Sequence, residues 1–247
     1  MKIRIYNDLG VSKESIKHCL YTLKLLASKN YSIEYITAQE IIEGNWQKNT
    51  RLLVLPGGRD LCYVEKLQGK GDKQIQDYLM NGGNFLGICA GSYYSGNYLE
   101  FAKSTKIEVI GVRDLAIYKG LVKGPVLAPY YYNSNKGASA AYITIEANSG
   151  LSIKDCHAFY NGGGYFVDAE NVKNTEIIAR YENFEAAIIK CTYGKGTAIL
   201  SGIHFEYDPA IIKRKYLSNI REILNNSNGQ RIILLNYIFK ILSIHGL

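Results

Sequence analysis

Proline is scarce, with four among 247 residues, and no stretch is dense in proline and serine, so nothing marks a linker along which the chain would divide. There is no internal repeat either, and a single domain over residues 1–247 is expected. No Cys-x-x-Cys pair occurs, and the four histidines, His18, His157, His204 and His245, stand at no ligand spacing from a cysteine, which argues against a zinc site. No metal or cofactor is expected. The five cysteines, Cys19, Cys62, Cys89, Cys156 and Cys191, are odd in number and fit free thiols in a reducing cytosol better than a disulfide framework. The start, "MKIRIYNDLG", alternates as a strand does and lacks the apolar core of a secretory signal, so a cytoplasmic location is expected. The apolar stretch "IILLNYIFKIL" is broken by Asn236 and Lys240 and is too short for a bilayer; it reads as a packed helix, and no membrane partner is expected. A basic cluster is missing too. The formal charge is +7, but the densest short run, Lys213–Lys215, holds three residues, and the excess reads as a solvated basic face with a functional anion-binding surface as the alternative. No nucleic-acid partner is expected.

What is present is an ordinary globular composition, 47% apolar and 21% charged, on a chain long enough to bury a substantial core. The segments "KIRIYND" and "YSIEYIT" have strand character. Between them Ile16, Cys19, Leu20, Leu23, Leu26 and Ala27 recur on one helical face, with Ser12 as N-cap and Asn30 as stop. The buried-strand run "RLLVLPGG", a helix over about Lys73 to Met80 and the strand "FLGI" follow. This alternation is that of an α/β fold, a doubly wound and mostly parallel sheet with helices on both faces. From about Lys106 to Ser201 short β-rich segments replace it and are expected to form an antiparallel β extension. Two helices around "NNSNG" close the tail. The tyrosine-rich "APYYYNSNKGASAAY" reads as local packing, with a pocket wall as the alternative.

Within "NFLGICAGSYYSG", the pentapeptide Gly87–Gly91 has the spacing of a nucleophile elbow, with Cys89 at its centre. Such a turn from strand to helix strains the central residue and needs small neighbours, which Gly87 and Gly91 provide. The start of the following helix favours the thiolate, and the N–H of Ala90 faces an oxyanion on an attacked acyl carbon. A buried, inert thiol is the plain alternative. Downstream, "GTAILSGIHFEYDP" carries His204 at the end of an apolar run with Glu206 two residues on, the same side in an extended chain. Glu206 fixes the tautomer of His204, and His204 exchanges a proton with Cys89, or else the pair is a surface histidine beside an acid. In "LPGGRD", Gly57 or Gly58 completes an oxyanion hole, or serves a tight turn alone. "FYNGGGYF" brings Tyr160, Gly163 and Tyr165 to a ligand, or is a glycine-rich hairpin.

Taken together, "LPGGRD", "GICAGSYY", "FYNGGGYF" with "ARYE", and "GKGTAILSGIHFEYDP" resemble the biotin-protein ligase N-terminal domain family, within the class I glutamine amidotransferase-like superfamily. The resemblance implies a flavodoxin-like fold with Cys89 as nucleophile, His204 as base, Glu206 as its orienter, and Gly58 and Ala90 as oxyanion donors. Glutamine-hydrolysing members carry Gln four residues after the nucleophile, where this chain has Tyr93, and His-Phe-Glu stands where His-Pro-Glu is usual. Gly57, Tyr93, Tyr160, Gly163 and Tyr165 are therefore candidate contacts for a substrate other than free glutamine. The glycine- and arginine-rich motif of a biotin-ligase catalytic domain is missing, so biotinylation is not expected.

The expected function is a cysteine-dependent hydrolase or amidotransferase-like protein acting on the C–N bond of a small-molecule amide. Two alternatives stand beside it: a ligand-binding or regulatory domain that keeps the elbow without turnover, and a redox or detoxification thiol. The sequence sets no oligomeric state.

Overall fold

The structure, a computed structural model, describes residues 1–132, 134–213 and 217–245. The first part of the chain alternates β1 (Lys2–Tyr6), α1 (Lys13–Leu26), β2 (Ser32–Ile36), α2 (Ala38–Glu43), β3 (Thr50–Leu55), α3 (Asp60–Leu67), α4 (Lys70–Met80), β4 (Asn84–Ile88) and α5 (Ala90–Tyr94). Then come β5 (Gly96–Phe101), β6 (Val109–Val112), β7 (Tyr118–Gly124), β8 (Ser139–Ile145), β9 (Asp155–Tyr160), β10 (Tyr165–Phe166), β11 (Thr175–Tyr181), β12 (Ala186–Tyr193) and β13 (Gly196–Ser201). The tail forms α6 (Ser218–Asn226) and α7 (Asn228–Ile241) around Ser227, as the sequence predicts. Of the basic run Lys213–Lys215, Arg214 and Lys215 lie outside the described residues.

All the described strands share one sheet with the central order β2-β1-β3-β4-β13, parallel throughout. That is the flavodoxin-like order, except that the fifth strand arrives only after a long excursion. The excursion supplies the extension β12-β10-β7-β5-β6, with β11, β8 and β9 branching from β12. All its pairings are antiparallel except β5 with β7. "FYNGGGYF" is not a hairpin, because β9 pairs with β8 while β10 pairs with β7 and β12.

Alternation along the strands makes two cores. Leu52, Val54, Leu86, Ile88 and Ile199 face α1 and α7, while Leu53, Leu55, Phe85, Ala198 and Leu200 face α2 through α5. Helix α1 starts where expected, with Ser12 Oγ accepting the Ser15 N–H at 3.4 Å. It ends at the extended Ala27 and not at Asn30, because the Ser28 N–H turns away to the His245 carbonyl, 2.9 Å distant. The Lys73–Met80 helix begins one turn earlier, at Lys70. No helix among the described residues is long and apolar enough to cross a membrane.

Candidate active site

Cys89 leaves β4 with φ 51° and ψ −107°, a conformation that a side chain other than glycine rarely adopts, and its N–H is tied to Ser201 O at 2.8 Å. Crowding around it explains the flanking glycines. A Cβ on Gly91 would lie 2.1 Å from Leu55 O, and one on Gly87 would lie 2.9 Å from Gly91 O. The helix after the elbow is only five residues long, so its macrodipole is small and the free amides beside the sulfur matter more. Among the described residues, no protein acceptor takes the N–H of Ala90 or of Gly58. The Gly57 N–H is engaged, donating to Ser15 Oγ at 2.9 Å. Gly58 and not Gly57 is thus the residue of "LPGG" with an amide to offer.

His204 stands just beyond β13, its N–H bonded to Phe159 O at 2.8 Å. The relation to Glu206 differs from the extended pair that the sequence suggests. The chain turns here, with the Tyr207 N–H reaching back to His204 O at 3.2 Å, and the turn brings His204 Nδ1 to 2.8 Å from Glu206 Oε1. Phe205, fully buried, enters the core between α1 and α7. Helix α1 holds the turn through Ser15, whose hydroxyl donates to Glu206 Oε1 at 3.1 Å, and Thr22, whose hydroxyl donates to Glu206 O at 2.8 Å. On the other side Arg231 of α7 pairs with Asp208 at 2.6 Å and donates to Phe205 O at 3.0 Å. Both Arg231 and Asp208 are buried, so loss of either would strand the other's charge.

The imidazole of His204 is equally hemmed in. A Cβ on Gly57 would lie 2.6 Å from its Cε1, so that glycine is its seat. Burial disfavours the charged ring. The carboxylate of Glu206 and the adjacent Cys89 outweigh burial and push its pKa up to about 10. With Glu206 fixing one ring nitrogen and Cys89 facing the other, the group can exchange a proton with the sulfur.

Two cavities meet at Cys89. One, of about 480 Å³, is polar and includes His204, Ser12, Glu14, Ser134 and Asn135 in its lining. The other, of about 230 Å³, is bounded by Ala90, Leu61, Tyr93, Phe101, Ile107 and Val109. Gly58, Arg59, Tyr130, Tyr132 and Asn161 border both. Tyr130 and Tyr132 therefore serve as walls, where the sequence read them as local packing. The pocket wall was the alternative reading of that stretch, and the Gly10–Ser12 turn after β1, which also lines the larger cavity, does not stand out in the sequence.

Tyr160, Gly163 and Tyr165, expected at the ligand, line neither cavity. Tyr160 is buried, its hydroxyl donating to Gly163 O at 3.0 Å, and Tyr165 pairs with Lys123 in the sheet. The three glycines permit close packing within the protein. Hypothetical Cβ atoms on Gly162, Gly163 and Gly164 would fall 2.3 Å from Tyr130, 1.6 Å from Gly202 O and 2.6 Å from Tyr93. Tyr93 lies under this loop, donating to Gly162 O at 3.2 Å, and its ring borders the smaller cavity.

Comparison with known proteins fits this frame. The solved structure of PurLQS from Thermotoga maritima superposes over 96% of this chain and 98% of that one, with a TM-score of 0.54 and 12% identity. A GH42 beta-galactosidase from G. stearothermophilus covers 98% of this chain and 30% of its own, with a TM-score of 0.51 and 10% identity. Likeness at such identities shows a shared α/β fold alone. In sequence, an uncharacterized protein of Chlamydia muridarum is 34% identical over 92% of this chain and 90% of its own length. The biotin–protein ligase of Schizosaccharomyces pombe is 32% identical over 99% of this chain, which spans 38% of that protein. The family described as "Biotin-protein ligase, N terminal" matches residues 1–246. The chain belongs to the biotin-protein ligase N-terminal domain family.

Proposed function

We propose that this protein is a cysteine-dependent hydrolase or amidotransferase that cleaves the C–N bond of a small-molecule amide, with Cys89, His204 and Glu206 as its triad. The observation that carries the reading is the buried relay in which Ser15 Oγ and His204 Nδ1 share Glu206 Oε1, beside a cysteine held in a strained elbow. The sulfur adds to the carbonyl carbon while the N–H groups of Gly58 and Ala90 receive the oxyanion. His204 gives its proton to the departing amine, and a thioester remains on Cys89. Water, or an amine acceptor, then attacks the thioester and loses a proton to His204, releasing the acyl group and restoring the sulfur.

Free glutamine is not the proposed substrate. Tyr93 fills the position after the elbow where glutamine-hydrolysing relatives carry Gln, and its hydroxyl is already bonded to Gly162 O. The test is alkylation of each cysteine against pH, in wild type and in His204→Ala, followed by screening small amides for amine release. Cys89 is expected to react selectively at neutral pH, with a profile that moves when His204 is removed. If Cys89 behaves like the other four cysteines, the ligand-binding reading replaces this one. Rapid conversion to sulfenic acid without dependence on His204 favours a redox thiol instead.

A further inference from the structure

We infer that the amide split at Cys89 joins an uncharged, apolar acyl group to a hydrophilic amine, the two halves occupying different cavities. The inference rests on the nucleophile reading above and adds the direction in which substrate lies.

The direction follows from which catalytic group faces which cavity. His204 lines only the 480 Å³ cavity, and Ala90 lines only the 230 Å³ one; Cys89 and Gly58 border both. The departing nitrogen must receive its proton from His204, so the amine side lies in the larger, polar cavity. The carbonyl oxygen turns toward the amides of Gly58 and Ala90. The remaining substituent on the carbonyl carbon, the acyl chain, then points into the smaller cavity.

The chemistry of that smaller cavity sets the class of acyl group. Its side walls are mainly apolar and include Leu61, Tyr93, Phe101, Ile107, Val109 and Tyr130, and the Tyr93 hydroxyl is already engaged by Gly162 O. An acyl chain carrying an ammonium and a carboxylate, as in a γ-glutamyl group, needs an opposite charge for each. The carboxylate bordering this space is Asp60, which is tied to Arg113 through two of the guanidinium nitrogens. Arg59 stands at the shared rim, exposed, and hydrogen-bonded to Tyr132. Among the described residues that line it, no carboxylate free of a partner is left for an ammonium, whereas a methylene chain or aromatic ring is matched by the apolar side chains. The polar cavity suits the other half, since Ser12, Ser134 and Asn135 bring hydroxyl and amide groups to it.

The reaction balances without any further reagent: amide plus water gives carboxylic acid plus amine, with Cys89 and His204 returned to their starting states.

The test uses p-nitrophenyl esters of acetate, hexanoate, octanoate and the γ-carboxyl of glutamate, with acylation of Cys89 followed by intact-protein mass. A second set compares hexanoyl-ethanolamine with hexanoyl-hexylamine for amine release. Hexanoyl or octanoyl transfer is expected to exceed acetyl and γ-glutamyl transfer at least tenfold, and the ethanolamine amide to be cleaved faster than the hexylamine amide. Leu61→Asp, a change at an exposed position that places a charge at the cavity wall, is expected to cut the hexanoyl-to-acetyl ratio about tenfold. Val109→Phe, which narrows the same cavity, is expected to shift preference to the shorter chain. Equal rates across the esters, or a γ-glutamyl preference, overturn the apolar assignment while Cys89 acylation leaves the nucleophile standing. Faster cleavage of the hexylamine amide overturns the orientation. If no ester labels Cys89 above the other cysteines, the nucleophile reading fails and this one with it.

Discussion

Ser15 donates its hydroxyl to Glu206 Oε1 at 3.1 Å, joining the first turn of α1 to a carboxylate 191 residues further along the chain. The same oxygen atom of Ser15 accepts the Gly57 N–H at 2.9 Å, so one buried side chain ties the loop after β3, the turn after β13 and α1 together. Ser15→Ala removes a donor from Glu206 and leaves the Gly57 N–H without its acceptor, at about 1–3 kcal/mol for a stranded buried group. A purely structural serine would lower the melting temperature alone. As a positioning residue it should also displace the pH profile of Cys89 alkylation, because Glu206 no longer holds His204 in register. An unshifted profile in a folded Ser15→Ala protein removes that role.

His204 supplies the pH dependence. Burial opposes its charged form, but Glu206 and Cys89 together raise its pKa from 6.5 to about 10, so the folded state holds that proton more tightly than the unfolded chain. The resulting stabilisation is complete below about pH 6.5 and is lost as pH rises through about 10. Glu206→Gln and Cys89→Ala each remove a group that raises the value, so the His204 Hε1 resonance should titrate at lower pH in both. A wild-type ring that titrates near 6.5 contradicts the coupling.

The parallel half of the fold was legible because apolar runs, a Ser cap and glycine turns are local signals, and they sit where the structure has β1, α1, β3 and β4. The elbow was legible for the same reason, since Gly87 and Gly91 crowd against backbone within a few residues or on the neighbouring strand. Ser15 was not, because a serine on an apolar helix face carries no mark of a carboxylate that meets it only in three dimensions. Tyr130 and Tyr132 were hidden among 21 tyrosines. The Gly162–Gly164 triplet was legible only in part: glycine permits close approach without saying to what, and here Gly162 borders the smaller cavity while the near neighbours of the three are Tyr130, Gly202 and Tyr93.

Gly57 and Gly91 should respond differently to the same added methyl group. In Gly91→Ala the Cβ meets the Leu55 carbonyl oxygen at 2.1 Å, backbone against side chain in the middle of the sheet, with no way to yield. A loss above about 4 kcal/mol and poor recovery of folded protein are expected. In Gly57→Ala the nearest atom is His204 Cε1 at 2.6 Å, beside a 480 Å³ cavity into which the ring can swing. That variant should fold, with Cys89 alkylation slowed at least tenfold at neutral pH. Fast, selective alkylation in Gly57→Ala would mean that the position of His204 does not govern the sulfur.

Tyr93→Gln restores the side chain found at this position in glutamine-hydrolysing relatives, and it is expected not to restore glutamine hydrolysis. The surroundings have been shaped to the ring. A Cβ on Gly124 would meet the Tyr93 hydroxyl at 2.0 Å, one on Gly164 would meet its ring at 2.6 Å, and Phe101 packs edge-on with centroids 5.6 Å apart. Truncating a buried aromatic side chain costs about 3–5 kcal/mol, so the variant should melt earlier while the cavity it opens stays apolar. Tyr93→Phe, which removes only the bond to Gly162 O, should cost about 0.5–1.5 kcal/mol and serves as the control for packing. Ammonia release from glutamine is expected at background in wild type, Tyr93→Phe and Tyr93→Gln alike, because Asp60, the carboxylate on the cavity wall, is held by Arg113 and is not released for an α-ammonium by removal of the tyrosine. Release above background in Tyr93→Gln would show that the tyrosine alone excluded glutamine, and that the apolar character of the acyl cavity had been overstated.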